Sequence, residues 1–157
     1  MMTSLTSEQI AIIQSTWAIP AQNAIDSGEV ILLAYFEKYP KNQEKFNSFK
    51  NTPLLSLKGT PGFRTHAGRV MGVFQEAVSS LSNENYVDEL ERIWIKIGES
   101  HNRRKISRQS FEELRDVIVS VLMQVCSLDE AGKTAWSSLM DIIYHIVYSK
   151  IDEKIPY

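Results

Sequence analysis

Apolar residues recur along this chain at intervals of three, four and seven, the period of helices that bury one face. Ile10, Ile13 and Trp17 mark the first such stripe. Thr6 with Gln9 three residues on forms a capping box before it, and Leu5 and Ile10 stand where a hydrophobic staple would close. "DSGEVILLAYFEKYP" predicts a second helix, starting near Asp26 or Ser27 and limited by Pro40. Pro20 ends the first helix or begins this one. Phe63, Val70, Phe74, Val78 and Leu81 form the next stripe, entered through the breaker cluster "GTPG" and left at "SNEN". Leu90, Ile93, Trp94 and Ile97 follow, ending in the polar, basic "HNRRKIS". Phe111, Leu114, Ile118 and Val121 mark one closing helix, and Trp136, Leu139, Ile143 and Val147 the other, with "SLDEAGK" between them. No segment alternates long enough to predict a strand. The fold class is therefore all-α.

Composition narrows the picture without changing it. At 157 residues the chain suits a single domain, 1–157, that buries roughly 70% of its unfolded surface. A net charge of −2 offers no basis for a nucleic acid or an anionic membrane as partner. Cys126 is the only cysteine, which excludes an intrachain disulfide and a cysteine-built metal cage. "MMTSLTSEQI" has neither the basic nor the apolar region of a secretory leader, and "VILLAYF" is too short to cross a bilayer. These features predict a cytoplasmic protein.

Two of the three histidines lie on apolar stripes. His66 stands three residues after Phe63 and four before Val70, and His101 lies four beyond Ile97. His145 falls opposite its helix's stripe. Each stripe histidine alone could be a core imidazole satisfied by a carbonyl or hydroxyl. As a pair facing one space, they are the nitrogen donors that transition metals prefer. No carboxylate or cysteine shares their faces, so further ligands would come from elsewhere, a porphyrin for example.

Several motifs together carry a family resemblance. In "FEKYPKNQEKFNSF", Phe46 follows Pro40 by six residues, and His66 follows Phe46 by 20. "IGESH" places Ser100 directly before His101. Trp17 and Trp136 stand in the first and last helices. Over nearly its whole length the chain resembles the globins, and "DSGEVIL", "FRTHAGRV", "IWIKIGESH" and "CSLDE" are most similar to the intracellular haemoglobins of insects, flies in particular. The His66–His101 interval of 35 residues is several longer than in vertebrate myoglobins. The extra residues are expected in a loop around "SNENYVDEL".

The resemblance implies a globin sandwich of about eight helices around a haem, the cofactor being haem b (iron protoporphyrin IX). His101 would be the proximal iron ligand and His66 the distal residue, donating a hydrogen bond to bound oxygen or binding iron itself. The second ring nitrogen of His101 needs an acceptor, either the Ser100 hydroxyl or the Ile97 carbonyl. Leu32, Phe36, Phe46, Phe49, Val70, Ile97, Ile106, Phe111 and Leu114 would line the pocket. Arg69 would reach a propionate, the ligand or solvent; Lys105, with Arg103 and Arg104, would pair with propionates. The expected partners are oxygen, carbon monoxide and nitric oxide, with the chain a monomer or weak homodimer. Three readings remain: reversible oxygen binding for storage, diffusion or transport, without enzymatic turnover; a redox or sensing globin with both histidines on iron, including nitric oxide dioxygenation; and a cofactor-free helical interaction module.

Overall fold

A computed structural model describes residues 4–151 of the chain. The described residues form seven α-helices and one 3-10 helix, with no strand. The α-helices are α1 (Ser7–Ala21), α2 (Ala24–Lys38), α3 (Leu54–Leu57), α4 (Pro61–Ser80), α5 (Tyr86–Arg103), α6 (Arg108–Val125) and α7 (Glu130–Ile151); the 3-10 helix spans Pro40–Lys45.

The local signals act where the sequence put them. Thr6 accepts the Gln9 amide and its own amide donates to the Gln9 side chain, closing the capping box of α1. Pro20 lies inside the last turn of α1 rather than ending it. Pro40 opens the 3-10 helix, where its missing N–H costs nothing. Two expected loops are shorter than the sequence suggested. The helix α5 begins at Tyr86, so "YVDEL" is helical, with Asp88 and Glu89 in the first turn favouring that end of the helix dipole. Likewise "EAGK" belongs to α7, which starts at Glu130. The short α3, Leu54–Leu57, was not anticipated between Pro53 and the breaker cluster "GTPG".

The helices pack chiefly as two crossed pairs, α2 on α4 and α5 on α7. Each crossing is set by a glycine. A Cβ on Gly28 of α2 would lie 2.6 Å from the Ala67 carbonyl oxygen of α4. A Cβ on Gly98 of α5 would lie 2.9 Å from the Val147 carbonyl oxygen of α7. The helix α7 is buried on most of its surface, and Trp136, Leu139, Ile143 and Val147 have no measurable exposure. Trp136 packs at a tilt against Trp17, ring centroids 6.1 Å apart, and its indole N–H donates to Thr16 Oγ1, tying α7 to α1. None of the described helices is long and apolar enough to cross a membrane.

Candidate functional site

The helices α4 and α5 run antiparallel and touch toward one end. Phe74 meets Trp94 edge-on at 5.2 Å, and the Arg92 guanidinium reaches Glu76 at 3.1 Å. From that contact His66 lies eight residues back along α4 and His101 seven residues on along α5. That is about 12 Å and 10 Å of helix axis. The two imidazoles remain near enough to interact electrostatically.

His101 is oriented by its own helix. Its Nδ1 lies 2.7 Å from the Ile97 carbonyl oxygen. A carbonyl only accepts, so Nδ1 carries the proton and Nε2 keeps a free lone pair. Of the two expected acceptors, the backbone of Ile97 takes this place; Ser100 is half-buried beside it. The Phe111 ring packs against the imidazole at 5.1 Å and leads on to Tyr144. Just beyond His101 the helix stops in a Schellman turn. The Ile106 amide donates to the His101 carbonyl and the Lys105 amide to the Asn102 carbonyl, with Lys105 at φ 59°. Glycine is usual at that position, so no composition signal announced the turn.

His66 is held by a cluster of phenylalanines. Phe46 lies edge-on at 5.0 Å and Phe49 at 6.2 Å, backed by Phe36 and Phe63. Phe46 and Phe49 stack on each other at 5.7 Å. Their turn is closed by Gln43, whose amide donates to the Phe49 and Thr52 carbonyls at 2.8 and 2.7 Å. The preceding 3-10 helix is tied to α6 by Asn42 to Glu113 and Lys45 to Ser110, and the end of α2 by Lys38 and Tyr39 to Asp116. None of these polar ties was legible from helical periodicity: those to α6 join residues far apart in sequence, and those of Gln43 lie within an irregular turn.

Both histidines titrate below the usual imidazole range. For each the main cause is burial; for His66, nearby Arg69, His101 and Arg104 add positive charge, and for His101 so does Arg104, against the Ile97 hydrogen bond. Both are therefore neutral donors near pH 7. Around them, Phe46, Val70, Ile97, Ile106 and Leu114 are apolar but only half-buried. Phe49 packs on His66, Phe111 on His101 and Phe36 on Phe46, and all three are buried, as is Leu32 of α2. Arg69, Arg104 and Lys105 are exposed. His145 is also exposed, on the outer side of α7 as its position implied. Among the described residues no cluster of three or more histidines, cysteines or carboxylates could hold a metal ion. Two neutral imidazoles on neighbouring helices, with half-buried apolar residues on the same elements, suit a flat, apolar ligand that brings further donors of its own, and a haem has that chemistry.

The globin family model matches residues 29–147. The chain belongs to the globin family. It is 31% identical over 147 residues to globin CTT-VIIB-3 of Chironomus thummi thummi, covering 94% of this chain and 89% of that one. Among solved structures it is similar to the hexa-coordinate haemoglobin of Drosophila melanogaster, studied for cyanide binding and haem-cavity transitions. That match has 39% identity and a TM-score of 0.91, and covers 94% of this chain and 96% of the other. The haemoglobin of the botfly Gasterophilus intestinalis matches with 29% identity and a TM-score of 0.86, covering 95% of this globin and all of that chain.

Proposed function

We propose that this globin holds haem b between α4 and α5 and binds oxygen reversibly, with His101 as proximal and His66 as distal residue. The observation that carries this reading is the His101 tautomer: Nδ1 is committed to the Ile97 carbonyl, so Nε2 is a ready axial donor. When bound, haem would supply an iron able to take a small diatomic ligand. His101 would hold the iron through Nε2, with the Ile97 carbonyl bond fixing its ring plane and raising its basicity. His66 stands opposite with an N–H to donate to a polar diatomic ligand. Phe46, Val70, Ile97, Ile106 and Leu114 exclude water and gain the burial they otherwise lack. Arg69, Arg104 and Lys105 lie on the exposed side, where propionates would emerge. Oxygen, carbon monoxide and nitric oxide are the ligands such a pocket admits, and no enzymatic turnover is required of it.

A second reading has its own support. The Drosophila melanogaster relative is a hexa-coordinate haemoglobin, and His66 and His101 here are both neutral imidazoles near pH 7. Both histidines would then be axial donors until an outside ligand displaces His66, which suits a redox, sensing or nitric oxide dioxygenating role. The test is reconstitution with haemin followed by the visible spectrum of the reduced, ligand-free protein. A strong Soret band supports a haem globin, and failure to take up haemin rejects both readings. A five-coordinate spectrum favours oxygen carriage; a six-coordinate one that His66→Leu converts to five-coordinate favours the second reading. His101→Ala should lose haem retention; unchanged retention and spin state would refute the proximal assignment.

A further inference from the structure

Glu29 is the only buried charged residue among those described, 2% exposed. It follows Gly28, the point where α2 touches α4. Its Oε2 accepts the Gly59 amide at 2.7 Å and its Oε1 accepts the Arg64 guanidinium at 2.8 Å. Gly59 sits at φ +84° in the turn between α3 and α4, and Arg64 lies in the first turns of α4. The N-cap of α4, Thr60, makes no side-chain hydrogen bond to its own helix. A buried carboxylate of α2 thus holds both the turn that leads into α4, through the Gly59 amide, and the first turns of α4, through the Arg64 side chain.

His66 lies between two anchors. On one side Arg64 is tied to Glu29; on the other the Ala67 carbonyl rests against Gly28. One residue pair of α2 therefore holds α4 on both sides of the imidazole. We propose that Glu29 is a positioning residue for His66: its carboxylate locks the start of α4 and so fixes where the distal imidazole stands. This rests on the haem reading above. Asp26 also meets Arg64, at 2.9 Å, but its carboxylate is exposed and holds no backbone amide, so it serves as a control.

Glu29→Gln keeps the shape and removes the charge. In the haem-loaded protein, backbone amide exchange over residues 59–66 should rise at least tenfold, with α7 unchanged. The oxygen dissociation rate should rise three- to tenfold with one haem per chain retained. Arg64→Ala, at a partly exposed position, should reproduce both effects if Glu29→Gln folds poorly, Arg64→Lys should restore them in part, and Asp26→Asn should change neither. In a His66→Leu background Glu29→Gln should leave the dissociation rate unaltered. Unchanged exchange in both Glu29→Gln and Arg64→Ala would overturn the lock. Faster exchange with an unchanged dissociation rate and coordination spectrum would make Glu29 structural only, and so would a rate change that persists without His66. A parent protein that takes up no haem would instead defeat the haem reading, and the proposal with it.

Discussion

Gly28→Ala tests the geometry that presents His66, and Gly72→Ala is its built-in control. Both glycines lie inside helices of the same packed pair. In each case alanine is the better helix former by about 0.8–1.0 kcal/mol. They differ in what the new methyl meets. At Gly72 nothing lies within 4 Å, whereas at Gly28 the methyl would stand 2.6 Å from the Ala67 oxygen, 3.0 Å from the Ala67 carbonyl carbon and 2.9 Å from Met71 Cγ. Two of those atoms are backbone and cannot swing aside. Reaching ordinary contact at 3.4 Å requires the helices to part by the difference from 2.6 Å, 0.8 Å. Overpacking of this kind costs about 1–3 kcal/mol. Gly72→Ala should therefore gain about 0.8–1.0 kcal/mol, and Gly28→Ala should be the less stable of the two by about 1–3 kcal/mol. Urea unfolding of the two variants measures the gap, and for a chain of this size each kcal/mol moves the melting temperature by about 2–4 °C. Because Ala67 adjoins His66, Gly28→Ala should also alter the coordination spectrum of the haem-loaded protein, and Gly72→Ala should not. Equal stabilities within about 0.5 kcal/mol, the usual range for harmless surface changes, would show that the close approach does not govern the crossing.

Four further outcomes follow from the same structure. His66→Leu should speed oxygen dissociation about ten- to a hundredfold, the worth of a hydrogen bond to a charged acceptor, measured by stopped flow; an unaltered rate would reduce His66 to a core residue. Lys105→Gly should stabilise the end of α5 by about 0.5–1 kcal/mol, the left-handed strain relieved less the chain entropy of glycine, read from denaturant midpoints. Tyr35 and Tyr144 ionise well above the ordinary tyrosine range, chiefly through burial. The native state keeps these protons where the unfolded chain loses them, above about pH 10, so stability should fall as pH rises past that point; a spectrophotometric titration should find both phenols silent until the chain unfolds. Removing haem should lower the melting temperature, since a ligand at a thousandfold excess over Kd contributes about 4 kcal/mol; equal apo and haem-loaded values would contradict the binding model.

Much of this molecule is written locally. The period of apolar residues is short-range information, so the helices, the Thr6 capping box and the placement of His66 and His101 on inward faces can all be read along the chain. Phe46 and Phe49 were implied as pocket residues by the globin resemblance, but their packing on His66 and on Phe36 and Phe63 is a product of the fold. Helix ends were read less well. At "YVDEL" and "EAGK" polar residues looked like loop, yet each lies on the outer face of a helix whose inner face is buried. Other decisions belong to tertiary structure alone. The roles of Gly28 and Gly98 depend on which helix crosses them, and a glycine's lack of a side chain carries no mark of its partner. Asn42 carried no signal of its partner, because Glu113 reaches it only when α6 packs against the 3-10 helix. Glu29 sat unremarked inside an apolar run, where its charge would ordinarily argue against burial. Only the arrival of Gly59 and Arg64, 30 and 35 residues further along, supplies the donors that let a carboxylate leave water. Periodicity tells a residue which way to face; which groups it meets there depends on contacts between distant segments, and those exist only once the helices have packed.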